Sequence, residues 1–226
     1  AWRDERQRDA LAVTGDLAAL LEERDLPAFR QGQRSADLRL RLDQLRTRTP
    51  APGHGADSAL YQIRCVADEF RRRLDIAAAD DDPAMTGVLL GFAFPERIAK
   101  RRAGAAPLYL LACGRAAKFA TPDPLAGETF LTVAELDDRD QDARIHLAAP
   151  LCRNDLDRHF AAAIQQSEII EWNDREAMVE ALGRRMFGKI ILEEYPLPHP
   201  NRDLLAAAML AGIRKRGLAI LPWDEN

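Results

Sequence analysis

Between Arg97 and Lys118 lie six basic residues, Arg97, Lys100, Arg101, Arg102, Arg115 and Lys118, with no carboxylate among them. Lys and Arg are the side chains that bind phosphate, so such a segment sets up an attractive field for a polyanion even on a chain whose net charge is -4. The chemistry this predicts is contact with a nucleic-acid backbone, carried by Lys100, Arg101, Arg102, Arg115 and Lys118. Tyr109 and Phe119 are the aromatic residues nearby, too few for extensive base stacking, which predicts binding with weak sequence preference. A structural alternative is that Lys100, Arg101 and Arg102 close a helix running from Val88 to Ala99 and complement its dipole. The sign then reverses: Asp123 to Asp142 holds seven carboxylates against Arg139.

Other arrangements carry less chemistry. Nucleotide hydrolysis needs a Gly-rich phosphate loop ending in Lys and a hydroxyl residue, and no Gly-x-x-x-x-Gly-Lys-Ser/Thr occurs. His54, His146, His159 and His199 lack the spacing that puts two metal ligands on one helix face. Asp80, Asp81 and Asp82 precede Pro83 and read as a solvated turn. Cys152 and His159 would stand about two helical turns apart, too far for a nucleophile and its base. Glu168, Glu171, Glu193 and Glu194 read as surface strand residues, and Trp172 and Trp223 as core. Arg214, Lys215 and Arg216 form a second basic group at the end of a helix, a reserve candidate with the same dipole alternative. Cys65, Cys113 and Cys152, odd in number and widely spaced, suit a reducing compartment and are expected to be small buried apolar residues. No apolar run reaches the roughly 18 residues of a membrane span, so no membrane partner is expected. The opening residues contain neither a signal peptide nor a start methionine, which predicts a piece of a longer cytoplasmic chain.

The elements that must position these residues follow from periodicity. Val13, Leu17, Leu20 and Leu21 share one helix face, and Leu38, Leu42 and Leu45 repeat it after an expected N-cap at Ser35. A Pro- and Gly-rich loop over 49–55 follows. From Asp57, an expected cap, Leu60, Ile63, Ala67, Phe70 and Leu74 form a third apolar face, leaving Arg64, Asp68, Arg71, Arg72 and Asp75 to solvent. Thr86 is the expected cap of a short helix through Phe94. Leu108–Leu111, Phe130–Val133 and Ile145–Leu147 read as strands of a small barrel, and 167–194 as further β-structure turning at Asn173 and Asp174, although 177–186 would also suit a helix. A helix over Asp203–Arg216 ends at Gly217.

Several stretches, in order, resemble one family. They are Asp16-Leu-Ala-Ala-Leu-Leu-Glu-Glu-Arg-Asp-Leu26, Ala36-Asp-Leu-Arg-Leu-Arg-Leu42, and Leu89-Leu-Gly-Phe-Ala-Phe-Pro-Glu-Arg-Ile-Ala-Lys-Arg-Arg102. They continue with Tyr109-Leu-Leu-Ala-Cys-Gly-Arg115, Val133-Ala-Glu-Leu-Asp137, Ala143-Arg-Ile-His-Leu-Ala-Ala-Pro-Leu151 and Gly212-Ile-Arg-Lys-Arg-Gly-Leu-Ala-Ile-Leu-Pro-Trp223. Together they are similar to the region that follows the motor domains in HrpB-type DEAH-box RNA helicases. The resemblance implies an α+β chain: a helical, ratchet-like tail over 1–85, an OB-fold-like barrel with its lead-in helix over 86–160, and a small α/β segment over 161–226. It implies no catalytic residue and no cofactor in this fragment, ATP and Mg belonging to the parent's motor domains. It implies partners in single-stranded RNA, in those motor domains of the same chain, and in a possible protein activator. A protein-docking module using the barrel edge and the acidic Glu135–Asp142 loop is the alternative.

Overall fold

The computed structural model describes residues 13–22, 35–47, 56–73, 75, 83–104, 106–137 and 142–217. The 49–55 loop, Asp80 to Asp82, Leu74, half of the acidic loop (138–141) and Trp223 lie outside the described residues. The chain is α+β and forms two compact units, Ala1–Ala161 and Ala162–Asn226.

The first unit begins with three helices: α1 (residues 13–22), α2 (Leu38–Thr47) and α3 (Ala56–Arg73). Their apolar faces meet as the spacing predicts, with Val13, Leu17, Leu20, Leu38, Leu42, Leu45, Leu60, Ile63 and Ala67 in one core. The cap of α2 is Asp37, not Ser35: its Oδ1 accepts from the Arg39 N–H at 3.0 Å, while the Ser35 hydroxyl accepts from the Asp37 N–H at 3.2 Å. Two arginines assigned to solvent are engaged instead. Arg64 donates from Nε to the Leu45 carbonyl at 2.6 Å, satisfying an orphan acceptor at the end of α2. Arg71 pairs with Asp16, which is buried on α1 and also accepts from Arg46 at 3.3 Å. The helical core continues onto Leu90, Ala134, Leu147 and Ala149, so the helices pack against the strands that follow.

Helix α4 spans Thr86–Ala93. Thr86 is its first residue rather than its cap and is fully buried. The reason is close approach: a Cβ at Gly87 would overlap the Pro150 carbonyl, and one at Gly91 would stand 2.7 Å from the Phe160 ring. The Thr132 hydroxyl donates to the Gly87 carbonyl at 2.8 Å and fixes the helix on the sheet.

Strands β1 (Ile98–Arg101), β2 (Leu108–Leu111), β3 (Ala116–Phe119), β4 (Phe130–Asp137) and β5 (Ala143–Pro150) close a barrel in the order β1-β2-β3-β5-β4. The β3–β5 pair is parallel and the other pairings are antiparallel. Five strands closed in this way form an OB-fold-like barrel. Ala99, Tyr109, Leu111, Ala117, Leu131, Val133, Ala143 and Ile145 fill it. A short helix, α5 (Arg153–His159), completes the unit.

The second unit is a meander of β6 (Ile164–Asn173), β7 (Met178–Phe187) and β8 (Ile190–Pro196) with α6 (Arg202–Arg216) packed on β6 and β7. Met178–Phe187 is a strand although its composition also suits a helix, because ten register pairs with β6 and six with β7's other neighbour satisfy its backbone. The turn at Asn173 is confirmed: its Oδ1 accepts from the Arg175 N–H at 2.8 Å. Trp172 lies against Gly212, where a Cβ would overlap the indole. Asn201 caps α6, accepting from the Asp203 N–H at 2.9 Å.

Candidate nucleic-acid interface

The basic run does not end a helix. Helix α4 stops at Ala93, and Lys100 and Arg101 lie in β1, so a dipole-complementing role for these residues is ruled out. Strand alternation then separates them. Ala99 lines the barrel core, which places Lys100 on the outer face and Arg101 on the inner side at the barrel's end, paired in register with Tyr109. Arg102 continues the ladder by donating its N–H to the Leu108 carbonyl at 2.8 Å and is exposed.

Register links Arg102 to other cations. Leu108 pairs with Lys118, and Lys118 pairs with Arg144. Arg102, Lys118 and Arg144 therefore form one cross-strand row over β1, β2, β3 and β5, with Leu108 between the first two. Adjacent strands lie about 4.8 Å apart, so the row spans roughly 15 Å. Lys118 is countered by Asp142, whose carboxylate stands 3.1 Å from its ammonium. Arg144 is not part of the basic run, yet strand alternation exposes it: Ala143 and Ile145 are buried on either side of it. Alternation marks Arg144 as outward-facing, and register alone places it beside Lys118.

The remaining predicted positions separate from this row. Arg115 sits in the β2–β3 turn, at the end of the hairpin away from Arg102, and its carbonyl accepts from the Leu111 N–H at 2.8 Å. Arg97 is used structurally, donating to the Ala134 carbonyl at 2.7 Å with its guanidinium 4.7 Å from the Phe94 ring centroid. Tyr109 is fully buried, so it is no stacking platform. Its hydroxyl stands 2.9 Å from the Leu125 carbonyl oxygen and 2.8 Å from that of Glu128. Burial pushes its pKa up to about 12. Phe119 meets it edge-on at 5.8 Å between ring centroids.

Other candidates resolve into structural roles. Cys65, Cys113 and Cys152 are exposed free thiols rather than core residues: Cys65 lies on α3, Cys113 in the β2–β3 turn and Cys152 just before α5. Cys152 and His159 stand at opposite ends of the α5 segment, and His159 meets Phe92 edge-on. Glu193 and Glu194 pair across the sheet with Arg185 and Arg184. Lys215 donates to the Asp174 carboxylate and Arg216 to its backbone carbonyl, fastening α6 to the β6–β7 turn. The hydrogen bond from Lys215 holds the Asp174 carboxyl below its ordinary range. Among the described residues no group of three His, Cys, Asp or Glu could hold a metal ion, and no helix is long and apolar enough to cross a membrane.

No family model matches the chain. It is 33% identical over 162 residues to the ATP-dependent RNA helicase HrpB of Escherichia coli strain K12, a match that covers 71% of this chain and 20% of that protein. The crystal structure of the E. coli DExH-box NTPase HrpB matches with a TM-score of 0.65 at 30% identity, over 95% of this chain and 24% of that one. A second, of the E. coli DEAH/RHA helicase HrpB, gives a TM-score of 0.63 at 27% identity over the same shares. The chain thus spans about a quarter or less of the proteins it matches.

Proposed function

We propose, from the premise that this chain belongs to the HrpB-type DEAH-box helicases as a C-terminal region of one, that its barrel forms part of the wall of an RNA channel. The Arg102, Lys118 and Arg144 row carries the reading: three cations on one outer surface of an OB-fold-like barrel suit a single-stranded phosphate backbone. Lys100 extends this surface along β1. Arg101, at the barrel's end, and Arg115, at the far turn, are flanking contacts. The helices act as the link through which the parent's ATP- and Mg-dependent motor domains would move the barrel, in the cytoplasm. Similarity to the E. coli ATP-dependent RNA helicase HrpB supports RNA as the ligand.

A protein-docking role would use the acidic Glu135–Asp142 loop, but each of the five barrel strands already has a neighbour on both sides, which disfavours addition of a partner strand. Binding of a labelled oligouridylate to the 226-residue chain at low salt tests the proposal. Anisotropy should rise saturably and fall with added salt. No binding, or binding insensitive to salt, would contradict it.

A further inference from the structure

We infer that Lys100 and Arg153 form a second phosphate contact on the outer barrel surface, so that an RNA strand leaving Arg102 continues down β1 onto α5. This rests on the reading of the barrel as an RNA-channel wall. Phe130 on β4 is the register partner of Lys100 and is only 4% exposed. The Lys100 ammonium stands 6.0 Å from the Phe130 ring centroid, and the Arg153 guanidinium stands 6.0 Å from the same centroid. One aromatic ring thus gathers two cations from segments far apart in sequence.

Their charges act on each other. Burial, and after it the positive charge of Arg153, push the Lys100 ammonium below its ordinary range. Arg153 has Asp157 at 2.7 Å, one turn along α5, with both side chains about a third exposed. A phosphate between Lys100 and Arg153 would meet two positive charges gathered over one ring. Arg102 directly follows β1 and continues its ladder, two positions from Lys100 and about 6.6 Å along the same face. Lys100 thus links the cross-strand row, through Arg102, to the ring it shares with Arg153. The competing role is packing alone: long stems of Lys and Arg cover apolar surface, here Phe130, whatever their charge does.

Arg153→Met and Lys100→Met separate the two roles, because each keeps an apolar stem over Phe130 and removes the charge. In the 226-residue chain, oligouridylate affinity is measured from low to moderate salt, with melting curves confirming the fold. Each variant should lower the slope of log affinity against log salt by about 0.7, one phosphate contact on a single strand. Arg153→Lys should keep the wild-type slope. If Arg153→Met and Lys100→Met match wild type while Arg102→Gln lowers the slope, the second contact is refuted and the channel-wall reading stands. If wild type does not bind, both fall.

Discussion

Lys118 on β3 and Arg144 on β5 are register partners across the parallel pair of the barrel, two positive side chains set side by side on its outer face. Like charges so placed destabilise a sheet, and Asp142 at 3.1 Å from the Lys118 ammonium offsets part of that cost. An RNA phosphate would compete with this carboxylate for the same cation. Asp142→Asn should therefore tighten oligouridylate binding by about two- to threefold, the range expected from losing a partly exposed ion pair that competes with the ligand. Anisotropy titrations of the two proteins at one salt concentration measure it.

Gly87 is the point at which α4 rests on the sheet. A Cβ there would overlap the Pro150 carbonyl, which is backbone and cannot turn aside. Gly87→Ala should destabilise the first unit by about 1–3 kcal/mol, against the slight gain expected of Gly→Ala at an open helical site. Urea denaturation followed by far-UV circular dichroism reads the difference.

Asp123 joins the helical part to the barrel through one carboxylate. Its Oδ2 accepts from the Ala36 N–H at 2.6 Å and its Oδ1 from the Leu125 N–H at 2.9 Å. Asp123→Ala leaves both donors without that acceptor and should cost about 1–3 kcal/mol. Hydrogen exchange at the Ala36 amide should quicken beyond the change in global stability if this link holds the start of α2.

Tyr109 predicts an alkaline effect. Its folded pKa, raised to about 12, lies above the ordinary value of 10.0, so the folded state keeps a proton that the unfolded state releases. The stabilisation is complete below pH 10 and is lost as pH rises towards 12. Tyr109→Phe should remove this part of the alkaline decline in melting temperature while lowering stability at neutral pH by about 1 kcal/mol through the lost hydroxyl contact.

Long periodic elements were legible in the sequence because each follows from its own residues: Val13, Leu17 and Leu20, then Leu38, Leu42 and Leu45, bury as their spacing requires. The start of β1 was not. Ile98–Arg101 is four residues long, too short for alternation to mark, and it becomes a strand only through pairing with β2 and β4. Arg101 and Arg102 were therefore visible as charges but not as residues on opposite sides of a strand. Arg144 was hidden by position, since register rather than sequence proximity brings it beside Lys118. Thr86 has the composition of a cap, and only the docking of α4 on β4 and β5 shows why it is buried instead.

The salt dependence of single-stranded RNA affinity tests the central claim most directly, with Arg102, Lys118 and Arg144 neutralised together as Gln. Three lost phosphate contacts should lower the slope of log affinity against log salt by about 2, at roughly 0.7 each. A slope equal to that of the unaltered chain would remove the row from the interface and contradict the account.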